Sequence, residues 1–199
     1  MSKLEGQNEA IKRAKADLAK IDVAARCVSL AIGNQAGGQV PFRAFGTNCL
    51  LNLDSLALTL SASGKEMKPG DQILVLHYLL CDVPVQPTGE LITFRDLPAG
   101  QFYWQPFLSR SIEPLLKRIN NNLETLKTNL KRFDFEITTE GDFSASVHAL
   151  GKIYARLVYH LGDEEFPPAA EILFDSSIRR IYNSEDVAFL ASRICLGLL

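Results

Sequence analysis

Asp163, Glu164 and Glu165 stand side by side in the stretch GDEEFPPAAEILFD, from Gly162 to Asp175, and the pair Pro167-Pro168 follows directly after Phe166. Proline fixes its own φ and pushes the preceding residue toward an extended backbone, so these acids sit on a stiffened loop. Adjacent carboxylates can bind a hard divalent cation, or raise one another's pKa until one serves as general acid or base. The run lacks the alternate-residue spacing of a calcium loop. A solvated connection whose prolines set the entry of the next strand explains the same residues without chemistry. Asp175, which closes the apolar run after the loop, joins the candidates.

His77 lies among Leu76, Tyr78 and Leu79 in an apolar segment. Imidazole titrates nearest neutrality, which suits a base or a ligand, but a lone His among apolar neighbours also serves as a satisfied core residue. Glu90 and Arg95 flank the apolar pair Leu91-Ile92. Phe102, Tyr103, Trp104 and Phe107 then follow close together. Such a cluster can line a pocket for a flat ligand, or close one end of a core with Arg95 clamped to an acid. His148 and His160 fall on the more polar faces of alternating segments and are expected to be exposed.

The elements that must position these residues follow from periodicity. The first 30 residues carry one apolar stripe at helical spacing and predict a helix, which GNQAGG (Gly33 to Gly38) ends. Three short apolar runs, 40–45, 48–53 and 56–60, are split by Gly46-Thr47 and Asp54-Ser55 and predict an antiparallel meander. Residues 72–81 are apolar nearly all round, as in a buried helix, and Asp71 is placed to cap it. A loop broken by Pro84, Pro87 and Gly89 leads to a short strand at 91–94. A long helix is expected near 111–132, with Asn120-Asn121-Asn122 placed to kink or split it. Period-two alternation over 133–138 and 143–149 predicts a hairpin, with further strands at 153–161 and 172–174. A C-terminal helix near 184–198, capped by Ser184, completes an α+β fold with antiparallel sheet and segregated helices. The chain is expected to form a single domain over 1–199, with an N-terminal helical segment at 1–35 and a core at 70–199.

Composition narrows the function classes. A chain of 199 residues buries roughly 70% of its unfolded surface, so no disulfide, metal or cofactor is required for folding. The formal net charge of -2 leaves no basic surplus for nucleic acid. No segment is long and apolar enough for a membrane span, and the N-terminus has no apolar signal region, so a soluble, cytoplasmic protein is expected. Lys12, Arg13 and Lys15 read as a solvated helix face. Cys27, Cys49, Cys81 and Cys195 occur singly among apolar neighbours, as buried free thiols do. Phosphate-loop, dinucleotide, nucleophile-elbow and zincin motifs are absent.

Three segments, LHYLL from Leu76, GELITFRDLPAGQFYWQPFLSR from Gly89 and GDEEFPPAAEILFD from Gly162, precede a helix starting at Ser184-Glu185-Asp186. In this order they resemble an uncharacterised family, the domain of unknown function numbered thirty-seven eighty-six, from about Leu76 to the C-terminus. Members look to be mostly from anaerobic bacteria and archaea, some with an added cysteine-rich iron–sulfur module. This chain lacks that module, and the resemblance implies no activity.

The expectation is therefore a non-catalytic accessory or small-ligand-binding protein of anaerobic metabolism. Its pocket would lie between the His77 helix, the aromatic segment and the acidic loop. The rival is a metal-assisted hydrolase or lyase using Asp163, Glu164 or Glu165 with His77. The partner is a small molecule or another protein, a homo-oligomer is compatible with the apolar C-terminus, and the ligand is unspecified.

Overall fold

A computed structural model describes residues 2–81 and 85–199; Pro84, one of the loop breakers named above, lies outside them. The fold is α+β, with antiparallel strand pairs and segregated helices. Its contacts divide it into two compact units, one running to Gln86 and taking in Leu150–Lys152, the other holding Pro87–Ala149 and Ile153–Leu199.

The first unit opens with α1 (Lys3–Leu18), closed by a capping box in which Ser2 accepts from the Glu5 N–H and Glu5 reaches back to the Ser2 N–H. The single helix expected over the first 30 residues is in fact two. Asp22 turns its carboxylate onto the Ala25 N–H at 2.9 Å and starts α2 (Val23–Ser29), because a short acid that can bond a nearby N–H favours a new N-cap over helix continuation. The meander follows as β1 (Gln39–Ala44), β2 (Thr47–Asn52) and β3 (Leu58–Leu60), with Val40 paired to Leu51 and Leu51 to Leu58. The β1–β2 turn is Phe45-Gly46, one residue earlier than expected. Both residues have positive φ, 50° and 74°, the geometry that matches hairpin twist. Phe45 accepts that backbone because its ring is buried, which offsets the strain.

Next, α3 (Pro69–Leu79) is buried along most of its length. Pro69 pre-sets its first turn, and Asp71 lies within that turn rather than capping it. Tyr78 bolts this unit together. Its hydroxyl donates to the Leu30 carbonyl at 2.9 Å and accepts from the Lys152 N–H at 3.1 Å. Gly151 leaves room for the ring, since a Cβ there would lie 2.5 Å from Tyr78.

In the second unit, β4 (Leu91–Ile92) runs into a 3-10 turn (Phe94–Asp96), so the strand expected to reach residue 94 stops two residues short. The helices α4 (Trp104–Arg110), α5 (Ile112–Ile119) and α6 (Leu123–Leu130) follow. The long helix expected near 111–132 is thus broken in the middle. Asn120 takes φ +49°, a conformation Asn tolerates better than most, and Asn122 caps α6 by accepting the Thr125 N–H at 3.0 Å. The Tyr159 hydroxyl donates to the Asn120 carbonyl at 2.6 Å and fixes the corner.

The strands are β5 (Phe135–Thr138), β6 (Phe143–Leu150), β7 (Ile153–His160) and β8 (Ala169–Asp175), in the order β6-β7-β8-β4 with β5 on β6. β8 pairs β7 with Arg156 opposite Leu173, and β4 with Ile92 opposite Phe174. A 3-10 turn (Ser176–Arg180) leads to α7 (Ser184–Gly197). Its cap is Asn183, which accepts the Asp186 N–H at 2.9 Å; Ser184 instead donates to the Pro98 carbonyl. Val187, Leu190, Ala191, Ile194, Cys195 and Leu198 all turn into the core of this unit.

Candidate functional site

Asp175 ends β8 half-buried, and its oxygens are filled by backbone. They accept the N–H of Thr88 at 3.0 Å, of Gly89 at 2.8 Å and of Ser177 at 2.9 Å, and the Thr88 hydroxyl at 3.1 Å. Partial burial pushes its pKa up. The bonds from Ser177, Thr88 and Gly89 outweigh that and hold it at about 2. Glu90 lies in the same junction through its backbone, its carbonyl accepting the Ser176 N–H at 2.8 Å. Asp175 is a clamp between the 88–90 loop and the end of β8.

In the acidic loop Asp163 is the engaged carboxylate among the described residues. One oxygen accepts the N–H groups of Glu165 and Phe166, both at 2.8 Å, and these bonds lower its pKa. The Asp163 N–H donates to the Phe166 carbonyl, closing the turn, and Asn121 grips Gly162 through both its carbonyl and its N–H. Glu164, Glu165 and Phe166 are left exposed on this rigid frame.

The aromatic segment splits in two. Phe94 and Phe107 stack with ring centroids 4.2 Å apart inside the core, and Trp104 stacks on Phe107 at 5.3 Å. Arg95 does not clamp an acid. Its guanidinium lies 4.3 Å above the Trp104 ring, a cation–π contact that continues the column outward. Phe102 and Tyr103 are turned to solvent, 89% and 60% exposed. These two rings form an exposed tip.

His77 belongs to the first unit, whereas Glu90, Arg95, Tyr103, Asp163, Glu164, Glu165 and Asp175 belong to the second. Half-buried on α3, it lines a groove of about 320 Å³ with Leu80 and with Gly6, Glu9, Ala10, Arg13, Ala14 and Asp17 of α1. The small residues Gly6, Ala10 and Ala14 recur every fourth position and form one strip of the α1 wall. Glu9, Arg13 and Asp17 share the same spacing, and Arg13 bonds Glu9 at 3.1 Å. The groove therefore offers carboxylate, guanidinium, imidazole and aliphatic groups together. In the sequence Arg13 reads as part of a solvated face, and the four-residue recurrence of Glu9, Arg13 and Asp17 is the signal that sets the three on one line.

Among the described residues, no group of three or more His, Cys, Asp or Glu side chains is arranged to hold a metal ion. His148 is half-buried against Tyr154, with ring centroids 4.9 Å apart, so it is less open than expected, while His160 is exposed. Among the described residues, no helix is long and apolar enough to cross a membrane.

Residues 22–196 match an uncharacterised protein family, Domain of unknown function (DUF3786), and the chain belongs to that family. The match begins well before Leu76, so the meander and α2 are part of the family domain. The α3 wall of the groove, with His77 and Leu80, falls inside the matched range, and the α1 wall lies before it. No curated protein and no solved structure matches the chain.

Proposed function

We propose that the chain is a non-catalytic, cytoplasmic accessory protein that binds a small polar ligand in the groove between α1 and α3. The anaerobic setting implied by the family resemblance is part of this reading. The observation that carries it is the lining of the groove, where His77 meets Glu9, Arg13 and Asp17 around about 320 Å³. That volume falls at the lower end of what small-ligand sites use, and its few polar groups on an aliphatic floor are the usual means of orienting a ligand. The binding reading is also supported by the state of the two best acid candidates. Asp163 and Asp175 hold backbone N–H groups and have lowered pKa values, which suits structural carboxylates better than a proton donor near neutral pH.

The test is ligand-detected NMR with a panel of free amino acids, small dicarboxylates and polyamines on the full chain. At least one class should bind the wild-type protein, and His77→Ala and Asp17→Asn should each weaken it at least roughly tenfold, the loss expected of one charge-assisted contact. No binding across the panel, or binding indifferent to both substitutions, would overturn the reading.

A further inference from the structure

The groove between α1 and α3 has an order of charges along its length. Glu9, Arg13 and Asp17 line it at four-residue intervals, so a negative, a positive and a negative group stand about 6 Å apart along the helix axis. Ala14 lies between Arg13 and Asp17 on the same wall, and Leu80 at the end of α3 adds an aliphatic surface.

These charges have contacts of their own, and each contact leaves room for a ligand. Arg13 donates to Glu9 through Nε at 3.1 Å, so the terminal guanidinium nitrogens are left to grip a carboxylate end-on. Asp17 accepts the Lys20 ammonium on Oδ1 at 2.7 Å, and an ionised carboxylate offers about four acceptor sites. The Arg13 and Lys20 side chains are largely exposed, and ion pairs of that kind are weak enough for a ligand to share or replace. Asp17 also lies in the last turn of α1, the end where the helix dipole favours a cation. Carboxylate and dipole attract the same charge there.

Resting on the reading of this groove as a binding site, we infer that its ligand is a free basic amino acid of the lysine type, laid along α1. The α-ammonium group meets Glu9, and the α-carboxylate meets the Arg13 guanidinium. The aliphatic stem runs over Ala14 and Leu80 and carries the terminal cation to Asp17. Positive, negative and positive groups on the ligand thus answer the three on the helix. Other small polar ligands answer fewer of them. A dicarboxylate sets like charge against Glu9 or Asp17, a diamine brings no anion to Arg13, and a neutral amino acid brings no cation to Asp17.

Calorimetric titration of the full chain with L-lysine, norleucine, cadaverine and glutarate tests this. Norleucine keeps the head group and the aliphatic stem without the terminal ammonium, and cadaverine keeps both ammonium groups without the carboxylate. Lysine should bind at least roughly tenfold more tightly than either, the loss expected of one charge-assisted contact, and glutarate should not compete with it. Asp17→Asn should abolish the preference for lysine over norleucine, and Arg13→Gln the preference for lysine over cadaverine. Both side chains are exposed on α1, so circular dichroism should show the fold intact in each variant. Norleucine, cadaverine or glutarate binding as tightly as lysine overturns the proposal and leaves the groove a binding site for something else. A preference that survives its own substitution does the same. Lysine that fails to bind also overturns it, and the groove reading falls with it only if the wider panel of amino acids, dicarboxylates and polyamines fails too.

Discussion

Asp175 accepts the Thr88 N–H through both carboxylate oxygens at 3.0 Å, across 87 positions of sequence. With the Gly89 and Ser177 N–H groups on the same carboxylate, it ties the loop before β4 to the turn after β8. Asp175→Ala leaves those N–H groups to water or to nothing. Charged hydrogen bonds of this kind contribute about 1–3 kcal/mol, so thermal unfolding should move down by several degrees, read by calorimetry. An unchanged midpoint would mean that the loop is held by other contacts.

The same carboxylate makes a pH prediction. Its folded pKa of about 2 lies below the ordinary aspartate value near 4, so its contribution is fully present above about pH 4 and is lost as pH falls from there toward 2. Urea unfolding of wild type and Asp175→Asn should converge as pH is lowered through that window. A stability gap that stayed constant would show that ionised Asp175 is not what differs.

Asn121 holds Gly162 from both sides, at 3.0 Å through its amide nitrogen and 2.8 Å through its oxygen. Asn121→Ala should release the acidic loop, seen as faster amide exchange at Gly162 and Phe166 with the strands of the sheet unaffected. Gly162→Ala should destabilise the loop more directly, because a Cβ would sit 2.6 Å from the Pro168 nitrogen. Unaltered exchange at Gly162 in Asn121→Ala would show that the proline pair alone holds the loop.

All four cysteines are buried thiols outside any disulfide, and burial pushes the Cys27 thiol up to about 11 and the Cys195 thiol up to about 12. The thiolate is the reactive form, so labelling by a bulky thiol reagent at pH 8 should be slow in the native protein and fast after denaturation. Rapid native labelling of Cys49 or Cys81 would point to a functional thiol.

Periodicity in the sequence located the meander, the 133–149 hairpin and α7, because each buries one face along a regular repeat. Breaks inside helical patterns were harder to read. The apolar stripe continues across Asp22, and what stops the helix is a side-chain bond to the Ala25 N–H that periodicity does not register. The tight α4–α5 junction at Ser111 and the reversal at Asn120 are backbone events of the same kind. For the candidate site, residue chemistry alone could not separate Asp163 and Asp175, whose oxygens are filled by N–H groups, from Glu164 and Glu165, whose side chains are exposed. The Glu9–Arg13–Asp17 face was legible as spacing, but its meaning depends on α3 lying against α1, a tertiary contact between segments some 60 residues apart.

The last turn of α7 makes the final prediction. Leu198 is fully buried, the Asn129 amide donates to its carbonyl at 2.9 Å, and Arg132 donates to the Gly197 carbonyl at 3.2 Å. Gly197 itself lies against the Phe133 ring, where a Cβ would come within 2.4 Å. The apolar end of the chain thus closes the core of its own unit. Deleting residues 196–199 removes a buried leucine and strands the Asn129 amide, a combined loss of about 3–5 kcal/mol. The melting temperature should fall by roughly 6–20 °C on the usual scale for a chain of this size. Sedimentation should be unchanged, because this segment packs into the core of its own unit. A truncated protein that keeps its melting temperature but sediments as a monomer where the full chain is dimeric would make α7 an interface.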